Sequence, residues 1–215
     1  MPRRSILLFA AACVVIATAL AIVTFVVVGR APGMTSGAAG VAAGEATVTT
    51  TGEARIGGPF QLVDQNGRAV DQTLLDGKWS LVFFGFTYCP DYCPTTLAAL
   101  DATQRAMDPD GGDMQVVFIT VDPGRDTPAV LKTYLTSDGF PDGVVGLTGS
   151  AAQIQTVADA YGASYEKVGE GDAYTMNHSL RVYLMGPDGN YRGFVTHDLG
   201  PARSAVMIRQ IMARG

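Results

Sequence analysis

Cysteine and histidine are scarce in this sequence: its 215 residues contain three of the first and two of the second. So few thiols exclude the disulfide framework of a small secreted domain. Basic residues are not in excess either. From Glu53 onward there are 12 Lys and Arg against 19 Asp and Glu, which leaves −7. No nucleic-acid partner is expected of such a chain. An acidic balance bears on solubility and on cationic or basic partners, not on fold. Internal repeats, a nucleotide-binding glycine fingerprint and a serine-centred nucleophile motif are all absent from the sequence.

One stretch has no charge at all. Residues Ile6 to Val28 form a run of 23 uncharged residues. At about 1.5 Å per residue, a helix of that length crosses a roughly 30 Å hydrocarbon core. The sequence therefore predicts a single N-terminal transmembrane helix. Arg3 and Arg4 precede it, and positive charge at a first span stays in the cytoplasm, so everything after Val28 is expected to be translocated. A cleaved secretory signal also begins with charge and an apolar stretch, but that stretch is only about 7–15 residues long. A lipoprotein cysteine at Ala11-Ala12-Cys13 would require the apolar run to end there, and it continues to Val28. Cys13 reads as a small apolar residue within the span. The expected parts are a cytoplasmic start and anchor over 1–30, a Gly/Ala/Thr-rich linker over 31–52 that cannot bury a core, and a folded domain over 53–215. The implied location is the inner (cytoplasmic) membrane, single-pass, with the C-terminal domain in the periplasm.

Within the folded part, Phe60 to Val63 reads as a short strand that turns through Asn66-Gly67 into Arg68-Ala-Val70. Trp79 to Phe86 is almost wholly apolar and aromatic, as a central strand buried on both faces should be. A helix follows from Pro94 to Met107, then a second buried strand from Met114 to Val121. Further helices are expected over Pro128 to Ser137 and over Ser150 to Tyr161, with Ser150 as N-cap and a short strand at Val144 to Leu147 between them. The end reads as strand Leu180 to Met185, a Pro-Asp-Gly turn, strand Tyr191 to Val195 and a helix from Pro201 to Met212. Strand–helix alternation closed by an antiparallel hairpin predicts an α/β domain: a mixed central sheet with flanking helices, on a thioredoxin-type plan.

The chemistry concentrates in Cys89-Pro-Asp-Tyr-Cys93-Pro94. Each proline biases its predecessor away from helical geometry, so a curved loop is expected. Cys93 would then stand at the start of the next helix, where free N–H groups and the dipole favour thiolate. Such a pair is either a disulfide or a soft-metal site, and spacing alone leaves both open. His178, in Tyr174-Thr-Met-Asn-His-Ser, reads as part of a loop entering a strand. Beside the cysteines it would complete a three-coordinate Cu(I) site, or a Cu(II) site with one further ligand. A satisfied structural histidine is the plainer alternative.

Three segments, taken in order, carry a resemblance: Phe84-Gly-Phe-Thr-Tyr-Cys-Pro-Asp-Tyr-Cys-Pro-Thr-Thr96, Val121-Asp-Pro-Gly-Arg-Asp-Thr-Pro128 and Asn177-His178-Ser179. Together they resemble the Sco/SenC family of copper proteins, which serve assembly of the binuclear copper centre of cytochrome c oxidase. The resemblance implies a thioredoxin-like fold, copper ligation by Cys89, Cys93 and His178, and a copper-accepting oxidase subunit as partner, with other copper chaperones as further partners. It also places Asp122 in an outer role, orienting a ligand or favouring the higher copper charge. Against that stands the reading in which Asp122 and Asp126 merely cap the helix opening at Pro128, with Arg125 paired to either. Asn177 departs from the aspartate that many relatives carry there and removes a charged partner for His178. Met176 reads as packing, His197 as a surface histidine, Tyr88 and Tyr92 as strand-end packing or a shield for the site, and Asp91 as an exposed charge.

The leading expectation is a membrane-anchored copper metallochaperone rather than an enzyme. The alternative is a thiol–disulfide oxidoreductase that keeps the oxidase's copper-ligating cysteines reduced, with Cys89 and Cys93 as the redox pair. Thioredoxin-type reductases resemble one another in having two residues between the thiols and a proline in the facing loop. This chain has three residues there, and no proline between Tyr174 and Ser179.

Overall fold

The structure is a computed structural model of the chain and describes residues 56–107 and 114–214. The expected anchor over 6–28, the linker over 31–52 and Cys13 lie outside the described residues. Among the described residues, no helix is long and apolar enough to cross a membrane.

The most apolar run becomes strand β3, Ser80–Gly85, buried at all six positions. Successive side chains of a strand point to opposite faces, so complete burial means that both faces of the sheet are covered there. The strand β4, Gln115–Thr120, lies parallel to β3 with Phe83 opposite Phe118, and β5, Val145–Thr148, lies parallel to β4. Parallel neighbours need crossover connections. Helix α1, Tyr92–Met107, falls between β3 and β4, and α2, Pro128–Tyr134, between β4 and β5. Antiparallel strands complete both sides. β1, Gln61–Asp64, pairs with β5 and with β2, Ala69–Asp71; β8, Val182–Met185, pairs with β3 and with β9, Tyr191–Val195. The order is β2-β1-β5-β4-β3-β8-β9. Helix α3 spans Ala151–Tyr161, and α4, Pro201–Met212, packs against α1. This is the mixed α/β sheet expected from the strand–helix alternation.

Local chemistry explains most of the boundaries. The Asp64 carboxylate accepts the N–H groups of Asn66 and Arg68, and Gly67 takes φ +79°, which closes the first hairpin. Ser150 and Gln153 form a reciprocal capping box at the start of α3. Helix α2 ends three residues before the expected Ser137, whose own N–H and hydroxyl fold back onto the Tyr134 carbonyl. Its N-cap is Thr127, not Asp122 or Asp126: the threonine hydroxyl accepts the Val130 N–H. Proline at the first helical position places the cap immediately before it, and both aspartates stand too early in the chain.

One element was not anticipated. Strands β6, Tyr165–Val168, and β7, Thr175–His178, form a separate two-stranded antiparallel hairpin. His178 is therefore the last residue of β7, not part of a loop.

Candidate metal centre

The cysteine corner is built on the end of β3. A Cβ placed at Gly85 would stand 2.9 Å from the Cys93 sulfur and 2.8 Å from a Phe118 ring carbon. The bare glycine thus lets the thiol tuck against the sheet, where Cys93 is 0 % exposed. Helix α1 starts at Tyr92, two residues before the expected Pro94, and Cys93 lies in its first turn, at the helix start as expected. Pro94 permits this because the first-turn N–H it lacks would have had no helical partner. The Cys93 N–H points at the Cys89 sulfur, 3.4 Å away. Both thiols are free, with Cys89 only partly buried.

His178 arrives from the other side, on the hairpin. Its Nε2 lies 3.5 Å from the Cys93 sulfur, and its Nδ1 lies 2.9 Å from the Ser179 carbonyl oxygen. A carbonyl only accepts, so Nδ1 carries a hydrogen and donates it to Ser179, which leaves Nε2 to face the thiols. Phe83 and Phe86 wall the imidazole edge-on, with ring centroids 6.1 and 5.8 Å away. The ligand atoms of Cys89, Cys93 and His178 all lie within 4.8 Å of one another. Among the described residues no other trio of metal-ligating side chains is so gathered. Donors about 2.0–2.3 Å from a transition-metal ion sit about 3.5–4 Å from each other, so the trio is nearly at bonding geometry. Two sulfurs and an imidazole suit a soft or borderline transition ion.

The two thiols are electrostatically unequal. The Cys93 thiol donates to the Cys89 sulfur, and the N–H groups of Cys93 and Asp91 and the His178 ring also favour its anion; together they outweigh partial burial and bring Cys89 down to about 5. Cys93 moves the opposite way, first because its hydrogen is engaged by Cys89 and then because it is buried. One sulfur is thus an available anion near neutral pH, while the other holds its proton until a cation displaces it.

Of the two aspartates in Val121-Asp-Pro-Gly-Arg-Asp126, the sequence reading chose Asp122 for an outer role at the ligands. Its Oδ2 pairs with the Arg125 Nε, and its Oδ1 accepts the Tyr174 hydroxyl at 2.7 Å. It touches no ligand. Asp126, which sequence reasoning did not single out for the site, is 0 % exposed and lies under the cysteine loop. It accepts the Thr87 N–H at 3.0 Å, the Thr87 hydroxyl at 2.6 Å and the Thr120 hydroxyl at 2.5 Å. Burial raises its carboxyl above the usual range despite those donors, and its charge opposes ionisation of Cys93. The signal available in the sequence was the pair of threonines, Thr120 at the end of β4 and Thr87 in the turn just after β3.

Tyr88 and Tyr92 are exposed at 63 and 49 % rather than packed at a strand end. Asp91 is exposed, as expected. Met176 is buried and packs in the core. Asn177 is exposed, and strand alternation points it away from the face that carries His178, so the missing charge is not one the imidazole would have faced. His197 is partly buried against the Tyr92 ring, 5.6 Å between centroids, not free on the surface as expected.

A protein from Arabidopsis thaliana named Protein SCO1 homolog 1, mitochondrial, is 40 % identical over 167 residues, covering 75 % of this chain and 49 % of that protein. The chain thus spans about half of that relative's length. A putative copper-binding protein of Stutzerimonas stutzeri is 41 % identical over 138 residues, covering 63 % of this chain and 67 % of the relative. Among solved structures, Bradyrhizobium japonicum ScoI with copper bound superposes with a TM-score of 0.65 at 43 % identity, over 73 % of this chain and 99 % of that one. The SCO1/SenC family model matches residues 48–213, a span that contains the whole described fold up to α4 and all three gathered side chains. With that match over most of its length and the relatives agreeing with it, the chain belongs to the SCO1/SenC family.

Proposed function

We propose that this protein binds one copper ion through Cys89, Cys93 and His178 and passes it to a copper-accepting subunit of cytochrome c oxidase. The observation that carries the reading is the convergence of two sulfurs and an imidazole nitrogen within 4.8 Å on separate elements of the fold. Thiolates are the preferred ligands of Cu(I), and the imidazole serves either oxidation state. The copper-bound structure of the Bradyrhizobium relative supports the choice of metal. A site with three protein ligands leaves a coordination position free, which is what ligand-by-ligand transfer to an acceptor requires. The 23 uncharged residues from Ile6 to Val28 support an anchor in the inner membrane, with the domain on the periplasmic side. Tethering at the acceptor's own membrane raises its effective concentration.

A competitive Cu(I) titration of the reduced full-length chain, beside Cys89→Ala, Cys93→Ala and His178→Ala, tests the assignment. One tight equivalent should weaken more than about 100-fold on loss of either cysteine, beyond the 10–100-fold typical of losing a ligand's outer partner. The histidine variant should weaken at least about tenfold. Equal binding by all four proteins would refute it.

The lowered Cys89 thiol favours a second reading, thiol–disulfide exchange with the acceptor's cysteines. In that reading Cys89 attacks an acceptor disulfide as the thiolate, and Cys93 then resolves the mixed disulfide, so the acceptor gains two thiols and this chain a Cys89–Cys93 disulfide. His178→Ala separates the two: it should weaken copper binding and leave exchange largely intact.

A further inference from the structure

The hairpin that brings His178 to the cysteines is not hydrogen-bonded into the seven-stranded sheet. Apart from the contacts of His178 with Cys93 and with the adjoining Ser179, the hydrogen bonds that leave Tyr165–His178 for the rest of the described domain end on two residues, Arg125 and Asp122. The Arg125 Nη1 donates to the Tyr174 carbonyl at 3.0 Å, and the Tyr174 hydroxyl donates to Asp122 Oδ1 at 2.7 Å. The Arg125 guanidinium lies over the Tyr174 ring, 3.6 Å from its centroid, and over the Tyr88 ring, 4.6 Å from its centroid. Lys167, from β6, covers the Tyr174 ring at 3.8 Å. Asp122 holds the Arg125 Nε, and Arg125 Nη2 is buried with no hydrogen-bond partner, packed by the rings instead. Tyr88 directly precedes Cys89, and Tyr174 stands four residues before His178. One side chain therefore touches the chain segments that carry two of the three ligands.

We propose that Arg125 is a positioning residue: in contact with both the Tyr88 and Tyr174 rings and anchored by Asp122, it clamps the His178 hairpin onto the cysteine loop and so sets whether the imidazole joins the thiols. The chemistry suits the task. A guanidinium offers a flat cationic face to two aromatic rings while its edge donates to a carboxylate and a carbonyl, which a lysine ammonium cannot do at once. Asp122 then acts through Arg125 and not on a ligand. The consequence for copper rests on the function proposed above; the clamp itself does not.

The test uses the full-length chain in two arms. In the metal-free reduced protein, Arg125→Met should speed amide hydrogen exchange across Tyr165–His178 at least about tenfold while β3 and β4 keep their protection. Should Arg125→Met fail to fold, Tyr88→Ala removes one face of the stack at an exposed position and should show a smaller change of the same kind. Unchanged hairpin exchange in a folded variant, or equal acceleration in β3, overturns the clamp. In the second arm, Cu(I) competition is measured for His178→Ala, Arg125→Met and the double variant. The clamp predicts that Arg125→Met weakens binding by about 10–100-fold and adds nothing once His178 is gone. Losses that multiply in the double variant overturn positioning through His178. If hairpin exchange rises as expected but the wild-type chain takes up no copper, the clamp stands and the copper reading fails.

Discussion

The cysteine corner and the histidine hairpin contribute to one site but are held by different means. Cys93 is sealed against the central sheet, under a strand buried at every position and over a glycine with no room for a side chain. His178 ends a strand pair whose eight residues are mostly exposed; the buried Met176, the partly buried Tyr165 and Tyr174, the imidazole against Phe83 and Phe86, and the hydrogen bonds of Tyr174 to Arg125 and Asp122 join it to the body. Close packing makes the first region resist any change of shape, whereas the second is set by a few separable contacts. In the function proposed above, holding the ion would fall to the core and releasing it to the hairpin.

The sharpest way to break that contrast is to fill the space at Gly85. Gly85→Val should drive the Cys93 thiol and the Phe118 ring apart and destabilise the domain by about 1–3 kcal/mol, as overpacking does in close-packed cores. Denaturant titration measures it, and a stability equal to wild type would show that the corner is looser than its packing implies. A second test asks whether the thiols differ as their surroundings require. Cys89, brought down to about 5, should react with iodoacetamide throughout the neutral range and slow only as the pH falls through about 5, whereas Cys93 should stay protected up to alkaline pH. Mass spectrometry of the alkylated chain reads both; equal labelling would contradict the asymmetry. The smallest effect belongs to the hairpin surface. Val168→Ala, 41 % exposed, should change stability by no more than about 0.5 kcal/mol. A larger loss would mean that the hairpin is part of the core.

The same contrast governed what could be read from the sequence. The run from Trp79 to Phe86, the helix at Pro201 and the Ser150 cap were legible because burial on both faces, proline at a first turn and a capping box leave local marks. Hairpin β6–β7 left none. Tyr165-Glu-Lys-Val168 buries little, and short exposed strands are set by their partner more than by their own composition. Cys89, Cys93 and His178 were found by motif, but the route by which His178 reaches the thiols was not, because it depends on that hairpin. The places of the two aspartates were not legible for a related reason. In sequence both looked fit to cap α2, and only the fold shows Asp126 turned inward beneath Thr87 and Asp122 turned toward Arg125.

The central claim is that two sulfurs from the core and one nitrogen from the hairpin meet on a single copper ion. X-ray absorption at the copper edge of the Cu(I)-loaded full-length chain tests it most directly, beside the same measurement on His178→Ala. The account predicts two sulfur scatterers and one nitrogen in the wild type, with the nitrogen shell lost in the variant. A wild-type spectrum with sulfur alone, or a nitrogen shell that survives removal of His178, would contradict it.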